Sequence, residues 1–445
     1  MHVIPQLRKL EQKYRQEMVV IGVHSAKFTS EKQTENIRKA VLRYGIEHPV
    51  VNDRESLVWR QYAARAWPTL MFIDPVGKVI GKHEGEIAYE PFDQLIGEMV
   101  REFDGQGLID RRPLEFRHEA EGGMPLLFPG KALADGPSGR LFIADSGHHR
   151  ILVVSGAGAV QQVIGAGEPG LVDGDARSAR FNAPQGLALD GASLYVADTE
   201  NHAVRRVDLE KRRVETIAGV GQQAQAYGAG GPARTVALSS PWDLALRKGA
   251  LYIAMAGVHQ LWALDVVGQT AHPYAGSGRE GLLDAGLSQA WLAQPSGIAT
   301  DGERLYFADS ETSAIRAADL DGGGIVCTIV GRDLFEYGDV DGEGDAVRLQ
   351  HPLGLCWYDG QLYVADTYNN KIKRVDPRSR EAVTLAGTGN PGHRDGLGLQ
   401  AQFHEPGGVS AAGGKLYVAD TNNHAIRVVD ITSGEVATLE LKGSV

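Results

Sequence analysis

Short apolar runs, separated by Gly, Asn and Asp, fill the chain beyond residue 125, and they recur. LFIADSGHHRILVV starts at Leu141, LYVADTENHAVRRVD at Leu194, LYIAMAGVHQLWALD at Leu251, LYFADSETSAIRAAD at Leu305, LYVADTYNNKIKRVD at Leu362 and LYVADTNNHAIRVVD at Leu416, in steps of 53 to 57 residues. A second phrase, such as PQGLALD or PLGLCWYD, opens at Pro129, Pro184, Pro241, Pro295, Pro352 and Pro406. A large apolar residue stands three places before most of these prolines: Phe181, Leu238, Leu292, Leu349 and Phe403. A third phrase closes the unit, as in VETIAG ending at Gly219 and AVTLAG ending at Gly387. Each unit therefore holds four short strand-like segments. Four strands at a fixed period over six units predict a six-bladed β-propeller, in which each blade covers faces its neighbours cannot bury alone. Because each unit contains a whole blade, the ring is expected to close edge to edge between blades one and six.

Residues 1–104 follow another pattern. Pro5, Leu7, Leu10 and Tyr14 recur at helical spacing. MVVIGVHS reads as a buried parallel strand. Ser30 with Gln33 predicts a capping box for a helix running to Tyr44. HPVVND is a short strand, and Asp53 caps a second helix, RESLVWRQYAARA. WPTLMFID, the turn DPVG and KVIGKHEGE form a hairpin, and YEPFDQLIGEMVREF is a last amphipathic helix. This is an α/β layout. Residues 105–124 read as a charged linker whose LEFRHE run is a candidate short strand, and residues 125–445 as the propeller.

Composition narrows the picture. At 445 residues the chain is too long for one ordinary core. No apolar run reaches the roughly 18 residues of a membrane span, and no basic-then-apolar leader is visible. Two cysteines, Cys327 and Cys356, give no disulfide framework, so the expected compartment is the cytoplasm. The net charge of −11 is uneven: residues 1–100 carry 14 Lys and Arg against 13 Asp and Glu, leaving −12 on the remainder. That balance argues against a nucleic-acid partner.

The candidate chemistry is mostly repetitive. Asp145, Asp198, Asp309, Asp366 and Asp420 share one slot, and Arg205, Arg316, Lys373 and Arg427 stand seven places later in four of the blades. An ion pair or turn-capping carboxylate inside each hairpin is the expected role. Blade three has Met255 and Trp262 in the two slots, which marks an apolar patch as a partner-site candidate. His149, His202, His259 and His424 also share a slot. Repetition spreads them around the ring, so they do not converge on one ion. His351 and His404 precede prolines at an expected channel mouth. Cys327 is expected on an outer strand of blade four and Cys356 on an inner strand of blade five. No metal or cofactor is indicated.

The wording of the repeats, P-x-G-L-A, L-Y-V-A-D-T-x-N-H and T-I-A-G in register, resembles the NHL-repeat family. The order of elements in residues 1–104 resembles the thioredoxin-like fold. Its sharpest residues are Ala66-Trp67-Pro68-Thr69-Leu70, where that family carries a cis-proline followed by Thr and a buried strand. The resemblance implies that Trp67, Pro68 and Thr69 bind a substrate peptide. It also places Met1 just after the second cysteine of the family's Cys-x-x-Cys, so the natural protein is expected to begin upstream; a degenerate domain is the alternative. Together the two parts resemble the NHL repeat-containing protein two family. The function this implies is redox-linked interaction with a protein or peptide, by the propeller or the cis-proline face, in a chain that is itself catalytically silent. A non-enzymatic propeller scaffold and a metal-dependent propeller hydrolase or lyase are the competing readings. RNA binding, known for some NHL proteins, would require a basic face.

Overall fold

In the computed structural model, which describes residues 3–116, 118, 122–224, 228–320 and 323–443, each repeat folds as an antiparallel sheet whose strands follow chain order. In blade two these are Pro184–Asp190, Ser193–Asp198, Ala203–Asp208 and Arg213–Ala218. The innermost strands of consecutive blades pack against one another, and that of blade six packs against that of blade one, so six blades close a ring. Six apolar clusters lie between consecutive blades. Phe181, three places before Pro184, fills the one between blades one and two together with Phe142 and Val196. Leu141, Ile143 and Leu152 of blade one meet Ala419 and Ile426 of blade six in the closing cluster. Each such side chain contributes about 1.5–3 kcal/mol on burial.

Closure differs from the expected simple meeting of edges. After its outer strand, each blade sends a segment to the outer edge of the next: Gly174–Asp175, Gly231–Pro232, Ala285–Gly286, Gly342–Glu343 and Gly396–Leu397 each add a fifth, two-residue strand. The segment leaving blade six does the same for blade one, in parallel. Lys442 pairs with Ala159, Val160 N–H donates to Lys442 C=O at 2.9 Å, and Leu439 and Leu441 pack on the closing cluster. The physical gain is a row of edge hydrogen bonds that blade one would otherwise lack.

The chain divides into units of Met1–Gly122 and Gly123–Val445. The first unit contains α1 (Val3–Lys13), β1 (Gly22–His24), α2 (Thr34–Arg43), β2 (Val50–Asn52), α3 (Leu57–Gln61), β3 (Thr69–Ile73), β4 (Val79–Glu84) and α4 (Tyr89–Gly105). β1 pairs with β2 in parallel and β3 with β4 in antiparallel, as two separate sheets. Leu10, Tyr14, Phe92 and Ile96 form the core between α1 and α4. The MVVIGVHS run does not become a buried strand. Three of its residues form β1, and Val19, Ile21 and Val23 are exposed, because among the described residues β1 hydrogen-bonds a neighbour on one side only. Nor does Ser30 cap α2. Ser30 opens a short 3-10 turn, and Gln33 precedes α2 without a side-chain cap. Glu31 instead accepts the N–H groups of Lys27 and Phe28. Of the LEFRHE run, residues 114–116 form no strand, and Arg117 and Glu119 lie outside the described residues. Among the described residues, no helix is long and apolar enough to cross a membrane.

Candidate functional site

Trp67, Pro68 and Thr69 sit together at the start of β3, and the Trp67–Pro68 peptide is cis. A chain of contacts holds Trp67. Asp53 accepts the N–H groups of Leu57, Val58 and Trp59 and so caps α3, as expected, although α3 is only five residues long. The other partner of Asp53 is the Ser25 hydroxyl, at 2.8 Å. Burial works against the Asp53 charge, but these bonds outweigh it and hold the carboxyl below its ordinary value. Trp59, placed by that cap, stacks on Trp67 with ring centroids 4.5 Å apart. Trp67 Nε1 donates to Ser25 C=O at 2.8 Å. The indole is thus held by Trp59 on one face and by Ser25 at its Nε1 edge, yet Trp67 remains 53% exposed.

The backbone around it is only partly committed to internal hydrogen bonds. Gly85 N–H donates to Pro68 C=O at 2.9 Å, and the Thr69 hydroxyl donates to Ala66 C=O at 2.6 Å. Among the described residues, the backbone N–H and C=O of Trp67 have no hydrogen-bond partner. An extended chain laid beside Trp67 would find one backbone donor and one backbone acceptor, the groups through which a peptide adds to a sheet edge. A shallow hollow of about 310 Å³ lies alongside, lined by Ala63, Arg65, Lys82 and Glu84.

The propeller spends its repeated charges on itself. Arg205 reaches Asp198 on one side (2.8 Å) and Asp173 on the other (2.9 Å), and also donates to the C=O groups of Arg180 and Val172. Asp198 accepts from Asn182 N–H and from Asn201, so the carboxylate both pairs with the base and caps the turn. Arg316 and Arg427 repeat the arrangement with Asp309 and Asp284, and with Asp420 and Asp395. Burial pushes the carboxyl of Asp198 up to about 6 against these partners. The outer acids escaped sequence reasoning. Yet Asp173, Asp284, Asp341 and Asp395 each stand 32 residues before the base, a signal in the same rhythm. Blade one solves the problem locally: Arg150 and His148, not a residue seven places on, contact Asp145.

In blade three the Met255 sulfur takes the N–H of Ser239 (3.3 Å), and Trp262 Nε1 donates to Gln260. Both residues lie inside the apolar cluster between blades two and three, so the expected surface patch is not there. The histidine slot has a single use. Nδ1 of His149, His202, His259 and His424 accepts the N–H of Ala183, Ser240, Gln294 and Phe128 respectively, each in the next blade. Ser313 and Asn370 fill the slot in the remaining blades that carry it. His351 and His404 are both buried just ahead of their prolines, His351 stacked on Tyr368 and 3.5 Å from Glu311. Among the described residues, no three His, Cys, Asp or Glu converge as a metal would require. Cys327 lies on the outer strand of blade four and Cys356 on the inner strand of blade five. Both are free, and burial raises both thiols, Cys356 to about 12, so neither is a ready thiolate.

Comparison with known proteins agrees with this architecture. A thioredoxin-like family model matches residues 1–79 and an NHL repeat model residues 403–429. Protein SUPPRESSOR OF QUENCHING 1, chloroplastic, of Arabidopsis thaliana is 44% identical over 467 residues, covering 100% of this chain and 44% of that protein. NHL repeat-containing protein 2 of Homo sapiens is 40% identical over 477 residues, covering 99% of this chain and 66% of that protein. The chain thus spans about half to two thirds of the length of these relatives. Among solved structures, a chain of a nidogen/laminin complex matches with a TM-score of 0.45 at 16% identity, over 69% of this chain and 92% of that one.

Proposed function

The chain belongs to the family of NHL repeat-containing protein 2, in which a thioredoxin-like domain is joined to an NHL propeller, and from that premise we propose that it is a redox-linked protein-interaction factor whose thioredoxin-like unit takes up an extended segment of a partner protein at Trp67, Pro68 and Thr69. One observation carries the reading: a clamped, half-exposed indole beside a backbone donor and acceptor with no partner in the described chain. The indole supplies apolar area at low conformational cost, and the backbone pair reads extended peptide irrespective of sequence. Thiol–disulfide exchange is the reaction class that family membership supports. In this chain the residues assigned are those that hold the peptide. The propeller, with its repeated Asp and Arg slots committed to holding the ring, offers the partner a rigid second surface. The two free cysteines favour a reducing compartment, the cytoplasm.

The test is binding of fluorescein-labelled decapeptides from an unfolded protein to the full chain. Trp67→Ala should weaken binding about tenfold, as loss of an aromatic anchor does. Val267→Ser, at a fully solvated propeller turn, should leave it unchanged. Equal binding by wild type and Trp67→Ala would remove the proposal.

A further inference from the structure

The third residue of the P-x-G phrase is glycine in four blades: Gly186, Gly297, Gly354 and Gly408. The reason is close approach. A Cβ at Gly297 would lie 2.8 Å from Gly354 Cα, one at Gly354 2.8 Å from Gly408 Cα, and one at Gly408 2.9 Å from Lys131 Cα. The slot faces the next inner strand around the ring and leaves no room for side chains. Two blades break the rule. Blade one has Lys131 and blade three has Asp243.

These two exceptions find each other. Lys131 Nζ lies 2.6 Å and 2.8 Å from the two carboxylate oxygens of Asp243. Both residues are buried, 8% and 4% exposed. Blades one and three are not neighbours, so the contact is a chord across the inside of a ring of six inner strands. The blade between them holds Gly186 in the same slot, where a Cβ would stand 2.5 Å from Asp243 Oδ1. Asp243 also accepts the N–H of Leu244 at 2.8 Å and of Ile298, in blade four, at 3.3 Å. The lysine therefore reaches past a blade that has been cleared for it, to a carboxylate already tied to a fourth.

We propose that Lys131 and Asp243 form a brace across the propeller axis, which locks blades one to four into one rigid segment and shuts the axis at that level. A partner of the propeller then meets its outer faces, and nothing passes along its centre. Such a brace is cooperative: one member without the other leaves a buried charge, whereas loss of both does not.

The experiment is a double-mutant cycle on the full chain, with Lys131→Met, Asp243→Asn and the pair, read by urea unfolding and by hydrogen exchange of Pro184–Asp190. Each single variant should lower the unfolding midpoint by about 1 M urea, and the double variant should fall no further than the worse single. Exchange in Pro184–Asp190, which is bridged but not itself ion-paired to either residue, should rise about tenfold. Lys131→Arg should stay near wild type. If a single variant fails to fold, recovery of folded protein in the double carries the same meaning. Additive losses, unchanged exchange, an Arg variant as weak as the Met variant, or a double that fails where the singles fail would each overturn the brace.

Discussion

His149 shows how a repeated residue is used singly. Its ring must be neutral at Nδ1 to accept Ala183 N–H at 3.0 Å, and burial lowers its pKa below the ordinary value. A lowered folded pKa means that this contribution is complete above the unfolded value and is lost as pH falls through the folded one. Blade five places Asn370 in the same slot for the same bond. His149→Asn should therefore keep the neutral-pH melting temperature and reduce the loss seen on acidification between about pH 7 and 5, whereas His149→Ala should cost about 1 kcal/mol at neutral pH. Thermal scans across pH check both. Lys373 shows the converse. A lysine is a point charge and cannot fork. It sits 2.6 Å from Asp341 and 2.9 Å from Asp339 but 3.8 Å from Asp366, where arginine in the sister blades touches both acids. Burial pushes Asp366 up to about 7. A raised carboxyl pKa contributes stability that is full below the unfolded value, near 4, and is lost as pH rises through 7. Lys373→Arg should raise the melting temperature at pH 8 more than at pH 5; an equal or opposite change would contradict this geometry. The Asp and base slots were legible because five and four blades agree. The arrangement around Asp145 was not, because Arg150 breaks the spacing.

At the scale of an element, blade three replaces a whole network. Met255, Trp262, Gly230 and Pro273 stand where blade two has Asp198, Arg205, Asp173 and Thr216. Met255→Asp alone would bury an unpaired charge and should cost about 3–5 kcal/mol, and adding Trp262→Arg should recover part of it. Urea unfolding of both variants decides; full additivity would mean that the two slots do not act together. Sequence reading saw the first two replacements but took them for a surface patch, since apolar character alone does not say which way a strand faces. It placed β3 and β4 and the cap at Asp53, where local turn chemistry decides. It missed the exposure of β1 because an apolar run reports the wish for burial and not the presence of a neighbour.

For the whole molecule, the six-fold period specified the ring and the unequal slots did not. The closing segment escaped notice because six complete units already accounted for the blades. Removing residues 439–445 takes away the edge pairing at Ala159 and two leucines from the closing cluster. It should lower the propeller's unfolding midpoint and raise exchange in Val160–Ile164 before any other outer strand. The larger picture is of a ring whose ionic and histidine slots are committed to its own cohesion, and a thioredoxin-like unit in which Trp67 stays exposed beside backbone groups that have no partner among the described residues. The most direct measurement of that division is hydrogen-exchange footprinting of the full chain with a saturating unfolded-protein decapeptide. Protection centred on residues 66–70 and Val79–Glu84 is the predicted result. Protection confined to the propeller, with residues 66–70 unchanged, would contradict it.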